Sequence, residues 1–186
     1  MEFWFGTPDI SVAGAPRWDP AWFQSSDAYD DQVRSALGRQ SRAAAAGELD
    51  DWLATPSGGV ALVLLLDQAP RNIFRGSPIA YQSDAQALEV ARHIVDRGED
   101  ERLHPLARLF LYLPFEHSER LEDQEQSVRL FAGMPVYPRS DRWLTVAERH
   151  REIVQRFGRF PHRNASLGRS STSSELSFLL ETSSFF

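Results

Sequence analysis

The sequence predicts an all-α domain of stacked antiparallel helical hairpins, and three observations carry that prediction. Apolar residues recur at helical spacing along most of the chain, capping and breaking signals bracket those stretches, and no segment reads as a strand with a partner to satisfy its backbone. With 186 residues, 42% of them hydrophobic, the chain can build one real core and is short for two, so residues 1–186 are read as a single domain.

Residues 1–26 are expected to form an irregular arm, because Pro8, Gly14, Pro16 and Pro20 interrupt any long helix. Phe3, Trp4, Phe5, Trp18, Trp22 and Phe23 give the arm apolar surface that should anchor it along the core. Asp27 can cap a helix carrying Tyr29, Val33, Ala36 and Leu37 and ending near Gly47. A short helix through Leu49, Trp52 and Leu53 should stop before Thr55-Pro56, since a residue preceding proline is pushed out of the helical region. Gly59 to Asp67 is a continuous apolar run that periodicity alone leaves open between helix and buried strand; the lack of a partner strand selects helix.

Ser77 followed by Pro78 reads as an N-cap and first helical residue, giving a helix over 78–96 that ends at Gly98. Its inward face would carry Ile79, Ala80, Ala87, Val90, Ala91, Ile94 and Val95. Pro105 opens a helix with Leu106, Leu109, Phe110 and Leu113 that should close before Pro114. Ser118 is expected to cap a helix reaching Ala132, with Leu121, Val128 and Phe131 inward and Glu125 placed to pair with Arg129. The clearest stripe, Trp143, Ala147, His150, Val154 and Phe157, belongs to a helix starting at Ser140 or Asp141 and ended by Gly158. Thr172 and Glu175 form a capping box for a last helix from Ser173 to about Leu180, and Phe185 and Phe186 leave two aromatics at the end available to dock. No fixed-period repeat is visible.

Composition narrows the chemistry. A formal charge of −6 and a pI near 5.4 argue against a general nucleic-acid binder. All 20 basic residues are arginine and cysteine is absent, which removes Schiff-base lysine, thiol nucleophiles, disulfides and thiolate metal sites. The opening Met-Glu-Phe-Trp-Phe-Gly has neither basic leader nor apolar core of an export signal, and the longest aliphatic run, Val60 to Leu66, falls far short of the roughly 20 residues a bilayer requires. The expectation is a cytoplasmic protein without a membrane partner.

Polar residues gather in three places. The first, Asp67, Gln68, Arg71, Asn72 and Arg75, leaves the apolar run directly and must find partners, since an unpaired buried charge costs several kcal/mol. Arg71 or Arg75 can pair with Asp67 to hold a turn, or the two guanidiniums can form an anion pocket. The second, Glu116-His117-Ser118-Glu119, sets a carboxylate beside an imidazole, a pairing that can serve acid/base chemistry. The third runs from Phe157 to Arg169 and carries Arg159, His162, Arg163 and Asn164, with His150 one helix upstream. A histidine on an apolar stripe is more often a satisfied core residue than a ligand. The five histidines show no metal-ligand spacing, and no phosphate loop or nucleophile elbow is present.

The runs Leu66-Asp-Gln-Ala-Pro-Arg-Asn-Ile-Phe-Arg-Gly76, Leu113-Pro-Phe-Glu-His-Ser-Glu119 and Phe157-Gly-Arg-Phe-Pro-His-Arg-Asn164 carry a further signal, joined by Phe3-Trp-Phe-Gly6, Asp84, Gln124, His150 and Leu167-Gly-Arg169. In this order they resemble the bacterial DUF924 family over essentially the whole chain. The resemblance implies an α-helical domain similar to tetratricopeptide-like superhelices and implies no activity. Ala69 departs from it, standing where the family motif usually carries a bulky aromatic, which would leave a gap or widen a pocket beside Arg71. The Ser/Thr-rich segment 170–174 is also less acidic than is usual there.

Three functions follow as expectations. The leading one is a domain binding a small anionic or polar ligand, an enzyme or not, in a pocket gathering Asp67, Arg71, Asn72, Arg75, Glu116, His117, His150, Arg159, His162, Arg163 and Asn164. Within it the arginines hold the anion, and His117, His162 and Glu116 are the acid/base candidates. The second is a protein-interaction module with a concave helical groove and a protein partner. The third, a metal-dependent hydrolase, has least support from spacing. Sequence names no cofactor and no oligomeric state.

Overall fold

The computed structural model describes residues 1–181; the terminal Phe185 and Phe186, read above as docking aromatics, lie outside the described residues. Among these residues the chain is all-α, with one isolated antiparallel bridge between Ser11 and Leu103. The α-helices are α1 (Glu2–Phe5), α2 (Asp27–Ala45), α3 (Pro56–Val63), α4 (Ala69–Ile73), α5 (Asp84–Asp96), α6 (Pro105–His117), α7 (Leu121–Ala132), α8 (Ser140–Phe157) and α9 (Ser173–Glu181). Helices next to each other or next but one in sequence pack together: α5 lies on α3 and α6, α7 on α6 and α8, and α2 on α4. Gly59 lets α3 and α5 approach, since a Cβ there would meet Ile94 Cδ1 at 2.9 Å. No helix is long and apolar enough to cross a membrane, among the described residues.

Residues of the first 26 lie against the core, and part of that segment is helical. Trp4 stacks on Trp22 with ring centroids 6.3 Å apart, and both meet Phe110 of α6 edge-on. Trp4, Phe5 and Trp22 are buried, whereas Phe3 and Phe23 remain exposed. His104 N donates to Ile10 O at 2.9 Å, tying the arm to the start of α6.

Several boundaries differ from the sequence reading, each for a local reason. Ser26, not Asp27, caps α2, its hydroxyl accepting from Tyr29 N. The helix expected over 78–96 is broken: Pro78–Tyr81 forms a 3₁₀ turn capped by Ser77, and α5 begins only at Asp84. Ile79 consequently faces solvent. α6 does not stop before Pro114 but runs through it to His117, so Glu116 and His117 are the last helical residues and not a junction loop. α7 starts at Leu121, and Ser118 does not cap it; its hydroxyl donates to Asp123 and accepts from Arg120 N. Arg129 bonds Gln126.

α8 and α9 match the sequence reading closely. Gly158 closes α8 at φ 70°, a left-handed conformation that costs glycine little. The capping box of α9 closes both ways, Thr172 N donating to Glu175 Oε2 at 2.7 Å and Glu175 N to Thr172 Oγ1 at 3.3 Å.

The apolar run 60–66 is helical, with a refinement that composition could not show. α3 passes through a π-helical turn, Leu64–Gln68, directly into α4, and every residue from Leu62 to Pro70 is buried. Asp67 and Gln68 therefore sit inside the protein on the same continuous helix as the leucines. Ala69, the departure from the family pattern, is fully buried in the main core.

Candidate functional site

Asp67 is the hub. Its carboxylate has no exposure and takes Nδ1 of His117 at 2.7 Å, Nη1 of Arg71 at 3.0 Å and Nε2 of Gln68 at 2.6 Å. Burial alone would favour the neutral acid, but Arg71, His117 and Gln68 hold the Asp67 carboxyl well below the usual carboxylate range. The partner of an ionised carboxylate must donate, so His117 carries its proton on Nδ1 and its lone pair on Nε2. Burial and the Arg71 charge keep this ring neutral, pulling its pKa down against the opposing pull of Asp67.

Arg71 extends the cluster outward. It forks onto Asp84 at 2.8 and 2.9 Å, and Asp84 also takes Nη1 of Arg163 at 3.3 Å. The Arg163 guanidinium lies between two aromatic rings, 4.8 Å from the Tyr81 centroid and 4.7 Å from that of Phe160. Its side chain is only 7% exposed, and Nε has no hydrogen-bond partner among the described residues. Burial and the charge of Arg71 lower its pKa to about 10. Arg71 and Asp84 are 18% and 21% exposed, so the cluster has a buried floor and a solvent-facing rim.

Glu116 and His150 form the third side. His150 Nδ1 is 2.9 Å from the Val146 carbonyl and 3.5 Å from Glu116 Oε1. A carbonyl can only accept, so Nδ1 bears the proton here too, and Nε2 is the basic nitrogen. Burial, then the charge on Asp67, push the Glu116 carboxyl up to about 8, leaving it protonated near neutrality. Burial lowers His150 to about 4 and His162 to about 3, and neighbouring positive charge, Arg163 foremost for His162, acts in the same direction. The Phe160 ring joins these groups, its centroid 5.4 Å from that of His150 and 5.5 Å from that of His162.

The residues singled out in the sequence divide into two sets. Asp67, Arg71, Glu116, His117, His150, His162 and Arg163 converge on the cluster. The rest are engaged elsewhere: Arg75 forks onto Asp30 of α2, Arg159 onto Glu175 of α9, Asn72 bonds the Gln68 carbonyl, and Asn164 joins Arg169 and Ser171. Glu116 and His117, neighbours in sequence, are not each other's partners, since His117 pairs with Asp67 and Glu116 faces His150. Glu119 forks onto Arg169 at 2.7 and 2.9 Å and accepts from Phe160 N, fastening the segment after α8 against the α6–α7 junction.

Asp84, Tyr81 and Gln68 complete the site and were not among the expected ligand residues. Asp84 and Gln68 lay within the motifs, but only their bonds to Arg71, Arg163 and Asp67 give them a role. Among the described residues no group of three or more His, Asp or Glu side chains is arranged to hold a metal ion.

Fold and site thus define an all-α protein with a desolvated carboxylate, imidazole and guanidinium cluster assembled from five separate stretches of chain. The chain belongs to the DUF924 family, described as bacterial proteins of unknown function, whose family profile matches residues 1–183. It is similar to a solved structure of a protein of unknown function from Agrobacterium tumefaciens, at 40% identity and a TM-score of 0.81, over 87% of this chain and 90% of that one. No curated protein matches it.

Proposed function

We propose that the cluster is the binding site of a small anionic ligand in a single-domain, cytoplasmic protein of tetratricopeptide-like build, with His117 as its acid/base group. The observation that carries this reading is Arg163, whose guanidinium is buried against two rings with its Nε–H unpartnered among the described residues. A buried donor without an acceptor costs roughly 1–3 kcal/mol, and an oxyanion at that N–H recovers it. The Asp67–His117 pair supports the acid/base role, because a buried carboxylate fixes the tautomer and orientation of a base whose Nε2 is free to exchange a proton. Asp67 and Glu116 are pushed in opposite directions by their surroundings, the pattern found where one group must stay charged and another must keep its proton.

The test is thermal unfolding with sulfate and malonate as probes, on the wild type and on Arg163→Ala. An anion at a hundredfold excess over its Kd raises stability by about 2.7 kcal/mol, and the variant at equal salt cancels the general effect of sulfate on burial. The expected result is stabilisation that disappears in Arg163→Ala while its helical circular dichroism persists. Equal stabilisation of both proteins overturns the assignment.

A further inference from the structure

The donor on which the anion reading rests is closed to solvent. Arg163 Nε is fully buried and has no acceptor among the described residues. No ligand atom can touch that nitrogen in this arrangement, so binding there demands that something move. The rings of Tyr81 and Phe160, with centroids 4.8 and 4.7 Å from the guanidinium, leave the side chain little room to turn by itself. The element that can move is the segment that carries it. Residues 159–172 join α8 to α9 and are bonded among themselves: Leu167 N donates to Arg163 O at 2.9 Å, Arg169 N to Asn164 O at 2.8 Å, and Arg159 Nη2 to Ser170 O at 2.9 Å. Arg159 also forks onto Glu175, so the segment moves with the start of α9. Its buried apolar contacts form a small cluster of their own, Ile153, Val154, Phe160 and Phe178, separate from the main core. That cluster is built on the last turns of α8, beside Gly158, and makes a pivot there.

Carboxylates hold the segment against the other side of the site. Glu119 accepts from Phe160 N at 2.8 Å and from Arg169 at 2.7 and 2.9 Å, and Asp84 accepts from Arg163 at 3.3 Å. Glu119 and Arg169 are both partly exposed, so water can replace their bonds at a cost far below that of parting an apolar seam. Lifting the segment divides the site in two. Arg163 and His162 leave, while Asp67, Arg71, Asp84, Glu116 and His117 stay on the helices of the main body. Resting on the anion-binding reading above, we propose that residues 159–172 form a lid that opens about the α8–α9 cluster to admit the ligand and closes with Arg163 upon it, the Glu119–Arg169 fork serving as the latch. The latch lies outside the ligand site. Loosening it therefore speeds entry and exit alike, and affinity is unchanged as long as the closed form dominates.

Native-state hydrogen exchange on the full chain tests the opening without any ligand. The amides of Leu167 and Arg169 should exchange about tenfold or more faster than those of Phe110 and Leu111 in the buried middle of α6, because a partial opening releases them. Equal rates would mean that residues 159–172 open only when the whole chain unfolds, which overturns the lid. Stapling tests admission, and the absence of cysteine from the chain makes it specific. Glu119→Cys with Arg169→Cys, checked for fold by circular dichroism, is joined by a short bismaleimide carrying a reducible link. The unstapled double variant should bind sulfate with the affinity of the wild type. The stapled protein should take up sulfate about tenfold or more slowly, read by NMR exchange broadening of the lid amides, and reduction of the link should restore the rate. Uptake at an unchanged rate in the stapled protein overturns the lid as the route of entry. Wild-type protein that binds no sulfate in calorimetry refutes the anion site itself, and hydrogen exchange then decides the opening on its own.

Discussion

Glu116→Gln separates the effect of one buried proton from everything else in the site. Glu116 is 3% exposed, and its carboxyl is pushed from an ordinary 4.5 up to about 8 by burial and by the charge of Asp67. Between those values the folded protein keeps a proton that the unfolded chain has released, so the group's contribution to stability is whole below about pH 4.5 and declines as pH rises. At roughly 1.4 kcal/mol per pH unit, the span corresponds to a ceiling of about 5 kcal/mol by pH 8.5. Glutamine has nearly the same shape, donates as the protonated acid does and does not titrate. The stability of Glu116→Gln relative to wild type should therefore climb steadily from pH 5.5 and level off above pH 8. His150 and His162 act in the opposite sense: their depressed pKa values cost stability as pH falls below the ordinary imidazole value of 6.5. The difference between variant and wild type is consequently the quantity to measure, by urea unfolding at pH 5.5, 7.0 and 8.5. Parallel stability profiles for the two proteins would refute the claim that Glu116 is a buried neutral acid.

Two further substitutions distinguish groups that hold the ligand site from groups that hold the fold. Asp67→Asn leaves Arg71 with one carboxylate fewer and deprives His117 of its anionic partner, and should cost about 3–5 kcal/mol in chemical unfolding; a loss under 1 kcal/mol would show that Asp67 is not the hub. Arg169→Ala breaks the fork to Glu119 at a partly buried position and should cost about 2 kcal/mol, between the values for exposed and buried pairs, without altering sulfate affinity. Weakened sulfate binding in that variant would place Arg169 in the site.

Much of the fold was legible because helix signals are local. Gly158 after the stripe of α8, the Thr172 and Glu175 box and the Ser77-Pro78 pair each act within a few residues, and the structure contains all three. The helix through Pro114 was not legible, because the steric rule against an internal proline is a tendency that packing overrides. Residues Leu106 to Glu116 are all buried save Arg108, and Gln124 Nε2 caps the far end by donating to the carbonyls of Glu116 and Ser118 at 2.6 Å. The site was half legible for a related reason. Composition marked which residues needed partners, but Arg75 and Arg159 satisfy that need at Asp30 and Glu175, in contacts 45 and 16 residues apart in sequence.

The position of Asp67 has a cause that runs through Pro70. Proline has no N–H, so in a helix continuing from α3 to α4 one carbonyl goes without its donor, and the ring crowds the turn before it. The chain widens there: Ala69 N donates to Leu64 O, five residues back, and the π turn absorbs the ring. In α register Pro70 would have served Leu66 O and in π register Leu65 O. Both are taken by serine hydroxyls, Ser83 at 2.6 Å and Ser41 at 2.8 Å. The next two carbonyls go to side chains as well, Asp67 O to Arg71 and Gln68 O to Asn72. The Pro-Arg-Asn motif thus opens the helix and supplies two of the donors that repair it. Arg71 gains from this a fixed anchor at one end, from which its fork reaches Asp84 at the rim. The same turn that looks like a structural repair is what brings an ionised carboxylate, an imidazole and a guanidinium to one buried point.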